Sequence, residues 1–159
     1  MNAATSPAFE PGRKHERDGV PALNRTELQR LAEERILEAK ILLDAGKGSG
    51  AYYLAGYAVE CALKACIAKK TQAEDFPEKK VVQDSWTHDI MSLVKTAGIE
   101  AEWNADCDAN VDLKDNWLIA KGWRESSRYS FTAEADARVL YNAIVDPMRG
   151  VLRWIKSRW

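Results

Sequence analysis

Residues 50–65 read GAYYLAGYAVECALKA. Fourteen of these sixteen residues are apolar, aromatic, small or thiol-bearing. The two exceptions, Glu60 and Lys64, stand four apart, one helical turn. At about 100° per residue, Ala51, Leu54, Ala55, Ala58 and Ala62 gather on one side. Tyr53, Tyr57, Glu60 and Lys64 form a second stripe. Little circumference is left for water, so this helix, about Gly50 to Lys70, is expected at the centre of the fold. A bare carboxylate there is costly. Either Glu60 pairs with Lys64 on a strip that reaches water, or it faces a polar cleft. In the second case an arginine from the 123–131 connection is the preferred partner, because its planar fork satisfies both carboxylate oxygens.

Working outward, NRTELQRLAEERILEAKILLDAGKG (Asn24–Gly48) is a helix with both ends marked. Thr26 and Gln29 read as a capping box, and Gly46 as the C-terminal glycine. Ser49 is expected to cap the next helix, so the two are antiparallel neighbours. Residues 71–86 are polar, include Pro77 and read as a loop. THDIMSLVKTAG (Thr87–Gly98) is a short helix with Thr87 as its cap and Gly98 as its stop. A further helix spans about Glu102 to Ala120. The stretch KGWRESSRYSF (Lys121–Phe131) is a connection. Thr132 is expected to cap a long last helix that Pro147 kinks. No strand pattern appears. The fold class is all-α, an up-and-down bundle of four longer helices plus one short helix.

The chain has 159 residues, 46% hydrophobic and 30% charged, with a net charge of −1. That is one ordinary domain, 24–159, preceded by a flexible tail, 1–23, that carries the basic cluster RKHER. Near-neutral charge argues against a generally nucleic-acid-coating protein but leaves room for a local basic cleft. Cys61, Cys66 and Cys107 have neither disulfide nor zinc spacing and read as buried thiols in a reducing compartment. No apolar run is long enough to span a bilayer, and the N-terminus lacks an apolar signal core. The expected location is the cytoplasm, with no membrane contact. No cofactor and no metal site is expected. GKGSG (Gly46–Gly50) lacks the spacing of a phosphate loop.

The order of these segments resembles the HEPN superfamily. EAKILLDAG (Glu38–Gly46) is followed by AYYLAGYAVECALKACI (Ala51–Ile67) and HDIMSLVKTAG (His88–Gly98). A tryptophan and the pair Arg128-Tyr129 then precede the last helix. The resemblance runs from roughly Glu27 to Ile155. It implies a homodimer. It also implies, for many members, a metal-independent RNase in toxin–antitoxin or defence systems. Their motif is an arginine followed after four to six residues by a histidine. Arginine steadies the phosphate charge and histidine moves a proton.

This chain departs from that motif. Tyr129, Ser130 and Phe131 stand where histidine would follow Arg124, and Ala133, Glu134 and Ala135 where it would follow Arg128. The only histidines are His15 and His88. Non-nuclease relatives keep an Arg-Tyr pair here and bind nucleotide or nucleic acid, or pair with a nucleotidyltransferase. The resemblance therefore implies an accessory protein of a prokaryotic defence or toxin–antitoxin system, not an enzyme of the usual kind. It would bind nucleotide, RNA or a partner protein through Glu60, Lys64, Arg124 and Arg128. Two alternatives stand beside it. One is a divergent metal-independent RNase that uses His88, Arg128 or Tyr129 in catalysis. The other is a helical dimerisation or adaptor module. Each site residue also has a structural explanation. His88 would pack on Trp86 or Trp117, Arg128 would pair with Glu60 or cap a helix end, and the six tryptophans would be core anchors.

Overall fold

The computed structural model describes residues 23–71 and 78–159. The N-terminal tail, apart from Leu23, lies outside the described residues, as does Pro77. Eight α-helices and one 3-10 turn make up the described chain, with no strand among them. They are α1 (Arg25–Asp44), α2 (Gly48–Lys70), α3 (Lys79–Ser85), α4 (Ile90–Thr96), α5 (Glu100–Ala109) and α6 (Val111–Ala120). The 3-10 turn (Glu125–Tyr129), α7 (Glu134–Val145) and α8 (Val151–Lys156) follow. The all-α class is as the sequence implies.

Helix α2 is the axis of the molecule. It packs against α1, α4, the 3-10 turn, α7 and α8. Burial runs around most of its circumference, from Ala51 through Ala55, Ala58 and Val59 to Leu63 and Ile67. Alanine and glycine at these positions let the neighbouring helices come close. Helix α1 lies antiparallel to it across a tight link closed by Gly46, whose φ of 69° is the left-handed conformation that glycine tolerates.

Local caps differ from expectation at four places. Asn24, not Thr26, caps α1, accepting from the Glu27 backbone N–H at 3.0 Å. Asp89, not Thr87, caps α4, and Thr87 Oγ1 accepts from the Asp89 N–H instead. Ser49 does not cap α2. Its Oγ accepts from the Thr132 N–H at 2.9 Å, and this ties the start of α7 to the start of α2. Thr132 therefore lies one residue ahead of the N-cap, Ala133, and makes no cap bond.

Two of the expected long helices are each divided. Asn110 takes an extended backbone and its side chain accepts from the Leu113 N–H, ending α5 and starting α6. Pro147 breaks the last helix rather than kinking it. It has no N–H to give, and the residue before it is pushed to extended backbone. Asp146 has ψ 126°. Its carboxylate accepts from the Met148 and Arg149 N–H groups at 2.8 and 2.6 Å, and these bonds hold its pKa below the ordinary value. Residues 79–85, read as loop, form the short helix α3, which buries no side chain.

The far end of the core is aromatic. Trp103 lies 4.5 Å from Trp117 and 4.3 Å, edge-on, from Trp154. Trp154 Nε1 donates to Asp106, and Arg158 stacks on Trp154 while pairing with Glu102 and Asp106. These tryptophans are core anchors, whereas Trp86 is exposed.

The three cysteines are free and buried. Burial, ahead of every other cause, pushes the Cys61 and Cys66 thiols up to about 11 from 9.0. The native protein is expected to stay silent toward an aromatic disulfide reagent and to react once unfolded. Prompt labelling of the native state would contradict the burial. The folded chain keeps thiol protons that the unfolded chain loses above pH 9.0, so this contribution to stability is complete below that pH. It falls away as pH rises toward 11.

Candidate functional site: a buried glutamate and the chain of charges it anchors

Glu60 is the one buried charged residue among those described, at 1% exposure. Its Oε1 is hydrogen-bonded to His88 Nδ1 and forms an ion pair with Lys64 Nζ, both at 2.9 Å. Lys64 comes from the next turn of α2. His88 comes from the residue just before the α4 cap, and the packing of α4 on α2 brings it in. Because an ionised carboxylate only accepts, Nδ1 carries the hydrogen, and Nε2 is turned away from Glu60. Nε2 faces Glu125 Oε1 at 3.5 Å. Glu125 in turn pairs with Arg128, three residues on along the 3-10 turn. Lys64, Glu60, His88, Glu125 and Arg128 thus form one chain of alternating basic and acidic side chains. It runs from the buried face of α2 outward to the surface.

The preferred Glu60–Arg128 pair of the sequence reading does not form. His88 stands between the two, and Arg128, on the outer side of the turn, takes the nearer carboxylate of Glu125. The expected packing of His88 on Trp86 or Trp117 is also corrected. Trp86 is exposed, and Trp117 is held in the aromatic cluster. Arg124 stands apart. Its Nη1 donates to the carbonyls of Lys121 and Trp123 at 2.7 and 2.8 Å, neutralising the open end of α6.

Arg128 lies 4.8 Å from the centre of the Tyr129 ring, and Tyr129 itself is 80% exposed. Hydrogen bonding to Tyr129 first, then to Tyr53, with Glu125 adding, raises the guanidinium pKa above its ordinary value. Tyr53 and Tyr57 stack at 6.0 Å along the same stripe of α2 as Glu60. Burial, then Cys61 and Glu60, push the Tyr57 hydroxyl up to about 12.

Trp123 closes the inner wall. It is fully buried, with its ring 6.1 Å from Tyr53 and lying directly over Gly56. Among the described residues, four buried side-chain atoms lack a hydrogen-bond partner: Glu60 Oε2, Trp123 Nε1 and Ser127 Oγ, which belong to α2, the inner wall and the turn, and Trp103 Nε1 in the aromatic cluster. Such atoms are rare in native folds and accompany strain, catalysis or bound ligands. No group of His, Cys, Asp and Glu among the described residues could hold a metal ion.

Sequence reasoning thus named Glu60, Lys64, His88, Arg124, Arg128 and Tyr129, and the structure brings all but Arg124 together. It missed Glu125, the acid that joins His88 to Arg128. The signal was its place three residues before Arg128, one turn of a 3-10 helix. It missed Trp123 too, whose signal was a lone glycine, Gly56, inside an otherwise well-formed helix.

No helix among the described residues is long and apolar enough to cross a membrane. No curated protein and no solved structure matches the chain. Residues 26–158 match the HEPN domain, which takes in every helix that builds the site. The chain belongs to the HEPN domain family.

Proposed function

We propose that the chain is a HEPN-type accessory protein of a prokaryotic defence or toxin–antitoxin system. It binds a phosphate-bearing ligand, a nucleotide or an RNA strand, at the edge formed by Lys64, His88 and Arg128. The observation that carries this is the buried Glu60, which fixes Lys64 and His88 beside the outermost cation, Arg128. Basic side chains held in place by buried or partly buried acids give a phosphate a pre-organised seat. The exposed Tyr129 beside them is suited to stacking on a base. The usual arginine–histidine RNase motif is missing from the start of α7. HEPN domains often dimerise, and a homodimer, with a nucleotidyltransferase as a further partner, belongs to this proposal.

Labelled single-stranded RNA and ATP, titrated at low salt, test it. Arg128→Ala is expected to weaken binding several-fold and to lower the slope of log affinity against log salt by about one. Unchanged affinity would remove Arg128 from the site. Robust RNA cleavage that Arg128→Ala abolishes would overturn the accessory role.

One observation favours a second function. A carboxylate bonded to Nδ1 of a half-exposed histidine is the arrangement that orients an imidazole for proton transfer. In a divergent metal-independent RNase, His88 would move the proton and Arg128 would steady the phosphate. Cleavage by the wild type that survives in His88→Ala would exclude that role.

A further inference from the structure

The 3-10 turn has two faces. Glu125 and Arg128 belong to the chain of basic and acidic side chains at His88. Ser126 and Ser127 line a separate cleft of about 550 Å³ between the end of α6 and the start of α7. That volume is in the range of small-ligand sites. Its polar groups are mixed. Arg124, Asp136, Tyr52, Ser126 and Ser130 line it, whereas the Ser127 hydroxyl is buried. Asp136 and Arg124 both act on the Tyr52 hydroxyl, which burial, then Asp136, raise and Arg124 lowers. Arg124 is pinned through one nitrogen, Nη1, to two carbonyls, which leaves the rest of its planar fork for a ligand.

The rim is apolar. Phe131 is wholly exposed, at 104%, with Val139 and Ile119 nearby also open to water. An unsheltered phenyl ring beside an arginine and a carboxylate matches a nucleobase and its phosphate. The ring offers a stacking face, the carboxylate accepts from base N–H groups, and the guanidinium takes phosphate oxygens.

We infer that this cleft is a base-reading subsite for single-stranded RNA, with Phe131 as its stacking platform and Arg124 as its phosphate contact. The inference rests on the proposed phosphate site at Arg128 and extends it. A strand whose backbone crosses Lys64, His88 and Arg128 has the 3-10 turn as its guide into the cleft. The next unpaired base then stacks on Phe131, while Asp136 accepts from its N–H edge. A duplex keeps its bases paired and stacked and cannot place one there.

The experiment compares three labelled probes of equal length: a single-stranded RNA, the same strand lacking bases, and a duplex. They are titrated into wild type, Phe131→Ala and Arg128→Ala. Phe131 touches no core residue, so Phe131→Ala is expected to fold normally, with an unchanged denaturant midpoint. It is expected to weaken the base-bearing single strand about tenfold and leave the abasic strand and the duplex unchanged. Arg128→Ala is expected to weaken all three. If Phe131→Ala binds the base-bearing strand as wild type does, the cleft is not a base subsite, even though the phosphate site stands. If Phe131→Ala is selective but Arg128→Ala changes nothing, the subsite survives and the phosphate site falls. If the wild type binds none of the probes, both are overturned.

Discussion

Glu60→Ala is expected to lower the unfolding free energy by about 3 kcal/mol. The readout is the denaturant midpoint at constant slope. Removing the acid strands two groups it holds at 2.9 Å, Lys64 and His88. Breaking a buried pair by deleting one partner generally costs about 3–5 kcal/mol. The lower end applies because the His88 side chain is 46% exposed and water can take over part of what Glu60 gave. Glu60→Gln keeps an acceptor and the shape, so about 1–2 kcal/mol is expected. The partners are identified by double-mutant cycles. Glu60 and His88 are expected to couple by more than about 0.5 kcal/mol, whereas Glu60 and Arg128 add within about that margin. Strict additivity of Glu60 and His88 would remove the hydrogen bond on which the site is built.

Gly56→Ala is expected to cost about 3 kcal/mol, a large loss for a single added methyl group. A Cβ at this position would stand 2.2 Å from Cδ1 and Cγ of the buried Trp123 ring. Real contacts of that kind do not exist, so the ring must leave its place. Trp123 is fully buried and packs at 6.1 Å on Tyr53, and moving it also moves the start of the 3-10 turn. Trp123→Ala alone is expected to cost about 3–5 kcal/mol. In a Trp123→Leu background the ring is gone, and Gly56→Ala should then cost less than about 1 kcal/mol, because alanine favours the helix over glycine. Thermal or chemical unfolding of the four variants measures this. A neutral Gly56→Ala in the wild-type background would mean that Trp123 does not lie on that face of α2.

The fold was legible where periodicity and caps act locally. The α1–α2 hairpin announced itself through its apolar stripe and through Gly46, and Gly98 ended α4 with φ 64° as its position implied. The central role of α2 followed from its small residues alone. The divisions at Asn110 and Pro147 were harder to read. Hydrophobic spacing continues through both, and only the local backbone decides between a bend and a break. The site was legible in its membership and not in its pairing. Burial of Glu60 could be inferred from its neighbours on α2. Whether Lys64, Arg128 or His88 reached it depended on where α4 and the 3-10 turn settle against α2, and no local pattern encodes that. His88 arrives because α4 packs on the same helix, a contact between segments separated by the polar stretch 71–86.

The position of α2 at the axis has a consequence for how the chain is made. Its first partner, α1, is already synthesised when α2 emerges, so that side can close at once. A second side closes on α4, which begins at Ile90, and the remaining sides wait for the 3-10 turn, α7 and α8, which begin only at Glu125. At synthesis rates of about 5–20 residues per second, the wait between Lys70 and Glu134 is on the order of several seconds. During that time the nascent hairpin shows water a face made of alanine, valine, leucine and cysteine, with a glutamate in its midst. Until α4 docks and brings His88 in, Glu60 and Lys64 are a hydrated pair within one turn, the only charges on that part of the helix. The same two residues that anchor the finished site keep the unfinished helix wet until its partners arrive.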